Sequence, residues 1–125
     1  MVNVSAKNVV RVFAGIRVAV GVAFALAPDR LNGRSQGGGN DTLMTQSFAV
    51  REMVLGIGGL VATTRAEASP SAVRMWAGLG ALTDGGDLAT ALAGVQRGEQ
   101  AAIPALVAAG GLVAELWALR ASVRD

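Results

Sequence analysis

Residues 43–64 read LMTQSFAVREMVLGIGGLVATT, an apolar run of 22 residues with Arg51 and Glu52 near its middle. As an α-helix the run is about 33 Å long, which is enough to cross a bilayer core of about 30 Å. A charge at that depth is costly, so it must face another helix or a wet cavity. The run therefore predicts a membrane-spanning helix whose middle meets other polar groups.

Three further apolar runs have the same design. Pro28 ends the first, Ser71 after Pro70 is a candidate N-cap for the third, and Pro104 falls in the first turn of the fourth, where proline is tolerated. We predict an all-α fold, a four-helix transmembrane bundle that forms a single integral membrane domain of residues 1–125. The predicted spans are about 9–27, 43–64, 72–95 and 101–119.

The composition favours a membrane protein. Hydrophobic residues make up 52% of the chain and charged residues 16%, whereas soluble domains have roughly 25% charged residues. Much of the apolar content is Ala, Val and Gly, so a water-soluble, Ala-rich bundle stays an alternative. In that alternative, residues 83–87 would form a turn and the bundle would have five helices.

Cysteine and histidine are both absent. Their absence excludes disulfides, thiolate and zinc sites and an imidazole base, and we predict no metal and no cofactor. Any acid–base chemistry would then depend on carboxylates, on arginine or on Lys7, the single lysine. The net charge of +2 comes from scattered arginines without an aromatic platform, which argues against a nucleic-acid partner.

Basic residues predict the orientation. By the positive-inside rule the side with more Lys and Arg is cytoplasmic, so both termini are predicted to be cytoplasmic and the protein to be a multi-pass protein of the inner (plasma) membrane. Trp76 and Trp117 would then lie near the inner interface. The predicted inner side carries Lys7, Arg11, Arg65, Arg74, Arg120 and Arg124, and the outer side Arg30, Arg34 and Arg97.

The ionisable residues in the four runs are predicted to form one layer, with Glu115 about one turn nearer the cytoplasm. This candidate ligand-binding or ion-pair layer consists of Arg17, Arg51, Glu52, Asp84, Asp87 and Glu115. The simplest pairing joins the two arginines to the two aspartates. Glu52 and Glu115 are then left over, and the surplus acid must be protonated, bind a cation or reach water. The plainer alternative is that the ion pairs only fix helix register, with Glu52 facing another subunit.

The third span is the most expensive to insert. Asp84 and Asp87 together would cost about 5 to 7 kcal/mol at the bilayer centre, and its leucines and Val95 would return about 2 to 3 kcal/mol. This helix therefore needs neighbours that neutralise it. The two glycines between the aspartates, Gly85 and Gly86, could instead unwind the helix, as in transporter sites.

Glycines in the last three spans predict close helix packing. They also make a homodimer or a larger membrane complex plausible. These glycines are Gly56, Gly58, Gly59, Gly78, Gly80, Gly85, Gly86, Gly110 and Gly111.

The chain resembles small four-span bacterial membrane proteins, often actinobacterial, of the uncharacterised, DoxX-like kind. The matching features are Arg17 with glycine in the first span, Pro28-Asp29-Arg30 after it, Arg51-Glu52 ahead of Gly56, and the acidic residues of the third span. The resemblance covers most of the chain and implies a four-helix membrane bundle.

Three functions compete at this stage. The leading hypothesis is a membrane protein that binds a small apolar or amphipathic molecule, or that serves as an accessory subunit of a membrane complex. The second is a membrane-embedded acid–base enzyme, of isomerase or cyclase type, acting on a lipophilic substrate, with catalytic candidates Asp84, Asp87, Glu52 and Glu115. The third is a proton-coupled transporter that works as a dimer.

Overall fold

The computed structural model describes residues 5–27, 40–65, 69–98 and 102–123, and these residues form a bundle of four α-helices without a strand. The predicted all-α fold with four helices is confirmed. Each helix extends past at least one of the predicted span limits. The helices are α1 (Ala6–Leu26), α2 (Asn40–Thr64), α3 (Pro70–Gln96) and α4 (Ala102–Ser122).

Two of the helix starts show different capping. The side chain of Ser5 accepts a hydrogen bond from the backbone N–H of Asn8 at 3.2 Å and so caps α1. At α3 the predicted cap, Ser71, is wrong: the N-cap residue is Ser69, and Pro70 takes the first helical position. Proline suits that position because its missing N–H would have no helical partner there.

Helix α3 is continuous, so the unwinding at residues 83–87 that the sequence left open does not occur. A glycine inside a helix costs about 1 kcal/mol relative to alanine, whereas an unsatisfied backbone group in an apolar medium costs several kcal/mol. The helical hydrogen bonds therefore outweigh the glycines. The hydroxyls of Thr83 and Thr90 also donate to the carbonyls four residues earlier.

The bundle has up-down-up-down topology. In the first hairpin the close approaches pair Gly21 with Ala49 and Gly56 with Ala14, which makes α1 and α2 antiparallel. In the second, Gly80 faces Glu115, and residues 84 and 111 face each other in the same way, so α3 and α4 are also antiparallel. Residues 6, 10, 73, 77 and 118 meet in one buried apolar cluster. The starts of α1 and α3 and the ends of α2 and α4 therefore lie at the same end of the bundle.

The bundle has small residues inside and large aliphatic residues outside. Ala77 and Ala118 are 1% and 0% exposed, whereas Leu82, Leu106 and Val113 are 77%, 73% and 68% exposed. Soluble proteins show the reverse, because burial of large aliphatic side chains is what drives their folding. In a bilayer the tails are as apolar as leucine, so small residues inside serve close packing and large ones face lipid.

Three of the described helices are long and apolar enough to cross a membrane: α1, residues 46–64 of α2 and residues 105–122 of α4. Helix α3, which carries Asp84 and Asp87, is not among them. These lengths and the outward aliphatic residues indicate a lipid bilayer as the surroundings of the bundle.

Candidate functional site

Arg17 lies at the centre of the bundle and is 7% exposed. It belongs to the buried face of α1, together with Val10, Ala14 and Gly21, at the spacing of three to four residues that one helix face requires. Its guanidinium therefore points between the other three helices, and each of them supplies one carboxylate.

Between them, the three carboxylates contact both terminal nitrogens of the Arg17 guanidinium. Nη1 donates to Glu52 of α2, at 3.0 Å to Oε1 and 2.8 Å to Oε2. Nη2 lies 2.9 Å from Oδ1 of Asp84 in α3 and donates to Oε1 of Glu115 in α4 at 3.0 Å. Arg17, Glu52, Asp84 and Glu115 are called the Arg17 cluster below. All four are buried, so these contacts tie the four helices together in a medium that barely screens them.

Arg51 and Asp87 form a second, outer pair. Nη1 and Nη2 of Arg51 donate to the two carboxylate oxygens of Asp87 at 3.0 and 2.7 Å, the bidentate geometry that arginine favours. The guanidinium lies 4.9 Å from the centre of the Phe48 ring, and Phe24 packs edge-on against that ring. Nη2 also reaches Oε1 of Glu52 at 3.5 Å, which joins the outer pair to the Arg17 cluster.

The structure brings all six residues of the sequence-derived layer together, but with other partners than the sequence suggested. Glu52 does not face another subunit, because both of its oxygens accept from Arg17. Glu115 does not lie a turn below the layer, because it contacts the same nitrogen as Asp84. The simple pairing of each arginine with one aspartate holds only for Arg51, since Arg17 serves three acids at once.

Two glycines make room for two of the carboxylates. A Cβ atom on Gly80 of α3 would collide with the carboxylate of Glu115, and a Cβ on Gly111 of α4 would collide with that of Asp84. Gly80 precedes Asp84 by four residues, and Gly111 precedes Glu115 by four. Each of these two helices thus carries a carboxylate and, one turn before it, a glycine that leaves room for the carboxylate of the other helix. This matched spacing is the sequence signal that could have placed Glu115 beside Asp84.

The layer carries more acid than base. Arg51 offsets Asp87, and Arg17 is left against the other three carboxylates, so the fully ionised layer would have two excess negative charges. All four acidic side chains that the structure describes lie in this layer. Among the described residues no group of acids forms a metal site, and the guanidinium occupies the place where a cation would sit. Three of the four catalytic candidates of the sequence, Glu52, Asp84 and Glu115, thus meet around Arg17, and the fourth, Asp87, pairs with Arg51.

Trp76 lines two cavities of different size. A small cavity of about 10 Å³, room for about one water molecule, lies beside Arg17 and Glu115 and has Trp76 in its wall. A crevice of about 390 Å³ also has Trp76 in its wall. Its lining consists of Gly58, Val61, Ala62, Arg65, Ser69, Ala72 and Trp76. The sequence predicts only that Trp76 lies near the inner membrane interface, and it does not predict this crevice. The signal was Gly58, whose missing side chain leaves room for the indole ring.

No family model, characterised protein or solved structure matches the chain. The resemblance to DoxX-like membrane proteins therefore stays a prediction, and the functional argument depends on the geometry of the site and the crevice.

Proposed function

We propose that all four helices cross the inner (plasma) membrane, with both termini in the cytoplasm. The antiparallel packing brings five basic residues to one end of the bundle: Lys7, Arg11, Arg65, Arg74 and Arg120. The positive-inside rule assigns that end to the cytoplasm. Helix α3 can cross with the others because Arg17 contacts Asp84, and Arg51 contacts Asp87, which offsets the cost of inserting the two aspartates.

Within this bundle we propose that the crevice between α2 and α3 binds an amphipathic small molecule with an apolar chain and an anionic head group. The observation that carries this proposal is the crevice itself. Its volume of about 390 Å³ falls in the range of small-molecule sites, about 300 to 1,000 Å³. Its walls are Val61, Ala62, Ala72 and the ring of Trp76, which suit an apolar chain.

Charge decides the head group. Arg65 lines the crevice at the end of α2, and Ser69 lies across from it just before α3. Both are exposed. Arginine binds carboxylate and phosphate through paired, charge-assisted hydrogen bonds. An anionic head group at this end would also lie within the field of the other basic residues there.

Fluorescence of Trp76 tests the proposal. In a Trp117→Phe background, Trp76 is the single tryptophan, so quenching by a bromine-labelled acyl chain reports occupancy of the crevice. Lysophosphatidic acid with a brominated chain should quench saturably in detergent micelles. Loss of a charged hydrogen bond costs about 1.5 to 3 kcal/mol, so Arg65→Gln should weaken binding by about tenfold or more.

Two variants sharpen this test. Val61→Phe fills the crevice and should abolish saturable quenching, whereas Arg120→Gln removes a charge from the same end without lining the crevice and should leave binding nearly unchanged. Equal quenching by a brominated monoacylglycerol, which has no charge, would refute the anionic head group. Quenching that neither saturates nor responds to Val61→Phe would refute the crevice as a binding site.

The acid–base enzyme and the proton-coupled dimer stay as alternative proposals. Both would use the Arg17 cluster, where Glu52, Asp84 and Glu115 meet in one place. The cavity beside the cluster has room for a water molecule but not for a lipophilic substrate, which favours ligand binding in the crevice over catalysis at the cluster.

A further inference from the structure

The charged layer holds two excess acids in a place where excess charge is costly. The groups that face one another there come from all four helices: Arg17 from α1, Arg51 and Glu52 from α2, Asp84 and Asp87 from α3, and Glu115 from α4. An isolated buried charge costs several kcal/mol, and carboxyl groups in such places commonly take up a proton instead. We therefore expect at least one acid of the layer to hold a proton.

Asp84 and Glu115 have the geometry for a shared proton. Both contact Nη2 of Arg17, at 2.9 and 3.0 Å, so Oδ1 of Asp84 and Oε1 of Glu115 lie within about 6 Å of each other. Two ionised carboxylates can only accept hydrogen bonds, so a hydrogen bond between them needs a proton on one of the two. Carboxylates that share one site do not readily all remain ionised at low dielectric, and here three carboxylates share the single charge of Arg17.

Glu52 and Asp87 already have donors for both of their carboxylate oxygens. Both oxygens of Glu52 accept from Nη1 of Arg17, and Asp87 is held bidentately by Arg51. Glu115, by contrast, is 4% exposed, and its Oε2 is buried without a hydrogen-bond donor among the described residues. We propose that Asp84 and Glu115 share one bound proton. The Arg17 cluster is then a buried proton-binding site as well as a set of ion pairs that holds the helices together.

The small cavity gives this proton a route to water. Glu115 and Arg17 line it, and Trp76 lines both this cavity and the crevice at the basic end. A water molecule in this cavity would exchange the proton past the Trp76 ring. The basic end, rather than the opposite end, is therefore the side from which the proton exchanges.

Infrared spectroscopy of the purified, full-length protein in micelles tests the proposal at neutral pH. A protonated carboxyl group gives a C=O stretching band above those of carboxylates, and the band shifts in D₂O. We expect one such band. It should move when the protein is made with ¹³C-labelled Asp or ¹³C-labelled Glu side-chain carboxyls, since both share the proton. The absence of the band, or a band that neither label moves, would overturn the proposal, and neither outcome depends on a variant that folds.

Variants locate the proton. Glu115→Gln and Asp84→Asn each replace a carboxyl group with an amide that can donate the same hydrogen bond, so each should keep the fold and remove the band. Glu52→Gln and Asp87→Asn are matched controls and should keep the band. A band that survives both Glu115→Gln and Asp84→Asn at full intensity would overturn the assignment.

The rate at which the infrared band shifts in D₂O tests the route of the proton. Trp76→Ala should speed the D₂O shift of the band by at least tenfold, whereas Trp117→Ala, which alters a side chain outside both cavities, should leave the rate unchanged. Equal rates in the two variants would contradict exchange through the Trp76 wall.

Discussion

Arg17 places one guanidinium among carboxylates from three helices. Because three acids contact it, its charge can be buried. Arginine does not lose its charge in proteins, so it holds acids that would otherwise repel one another. Its side chain is 8% exposed, whereas that of Arg51 is 38% exposed and serves mainly one acid. The two arginines should therefore differ in their effect on stability.

We expect Arg17→Gln to lower the free energy of unfolding in micelles by about 3 to 5 kcal/mol, because it leaves three buried acidic side chains without their cation. Arg51→Gln should cost about 1 kcal/mol, as for a partly exposed pair. Thermal unfolding followed by circular dichroism measures both. Adding Glu52→Gln to Arg17→Gln should restore part of the loss. Equal destabilisation by the two arginine variants would contradict the central place of Arg17.

For individual residues, the sequence predicted which ionisable side chains meet but not which acids contact which arginine. The positions of the charges within the apolar runs placed all six in one layer. The number of acids on Arg17 could not be predicted, because it depends on the rotation of each helix about its axis. A rotation of one residue, about 100°, separates Glu52 from its neighbour Arg51 and sends them to different partners.

Helices α3 and α4 are matched elements, each with a glycine one turn before an acid. The match determines their register, since sliding one helix by a turn would place a carboxylate against a side chain instead of a glycine. Other glycines on the same helices do not have this role: a Cβ atom on Gly78 or on Gly110 would meet nothing within 4 Å. Close packing by glycine, which the sequence predicted for all of them, thus holds for particular positions.

Alanine substitutions separate the two kinds of glycine. Gly80→Ala and Gly111→Ala should each lower the free energy of unfolding by about 1 to 3 kcal/mol, because the added methyl group overlaps a carboxylate that Arg17 holds in place. Gly78→Ala and Gly110→Ala are the controls and should be neutral or stabilise by up to about 1 kcal/mol through helix propensity. Chemical or thermal unfolding in micelles gives the comparison. Similar effects of all four substitutions would refute the packing of the carboxylates against Gly80 and Gly111.

The continuity of α3 shows where local sequence signals fail. Asp84-Gly85-Gly86-Asp87 would form a turn in water, where the backbone could bond to solvent. Inside an apolar bundle the backbone has no such partner, and the helix persists. The surroundings, rather than the local sequence, decide the conformation of this segment.

For the whole molecule, the distribution of residue size is the strongest sign of its surroundings. Alanine and the charged layer fill the inside, and valine, leucine and isoleucine face out along the helices. Composition alone predicted a membrane protein but could not exclude a soluble bundle, because hydropathy does not report which residues face inward. The arrangement of the helices supplies that information.

Labelling of single cysteines tests this account most directly, and the chain suits the method because it has no native cysteine. Leu82→Cys and Val113→Cys place a thiol on the exposed surface near the middle of α3 and α4, and Gln96→Cys and Ser69→Cys place one at the two ends of α3. A membrane-impermeant maleimide added to cells should label Gln96→Cys at once and Ser69→Cys only after permeabilisation. Leu82→Cys and Val113→Cys should react only after denaturation. Prompt labelling of Leu82→Cys and Val113→Cys once the cells are permeabilised would contradict a bundle that spans the bilayer around Arg17.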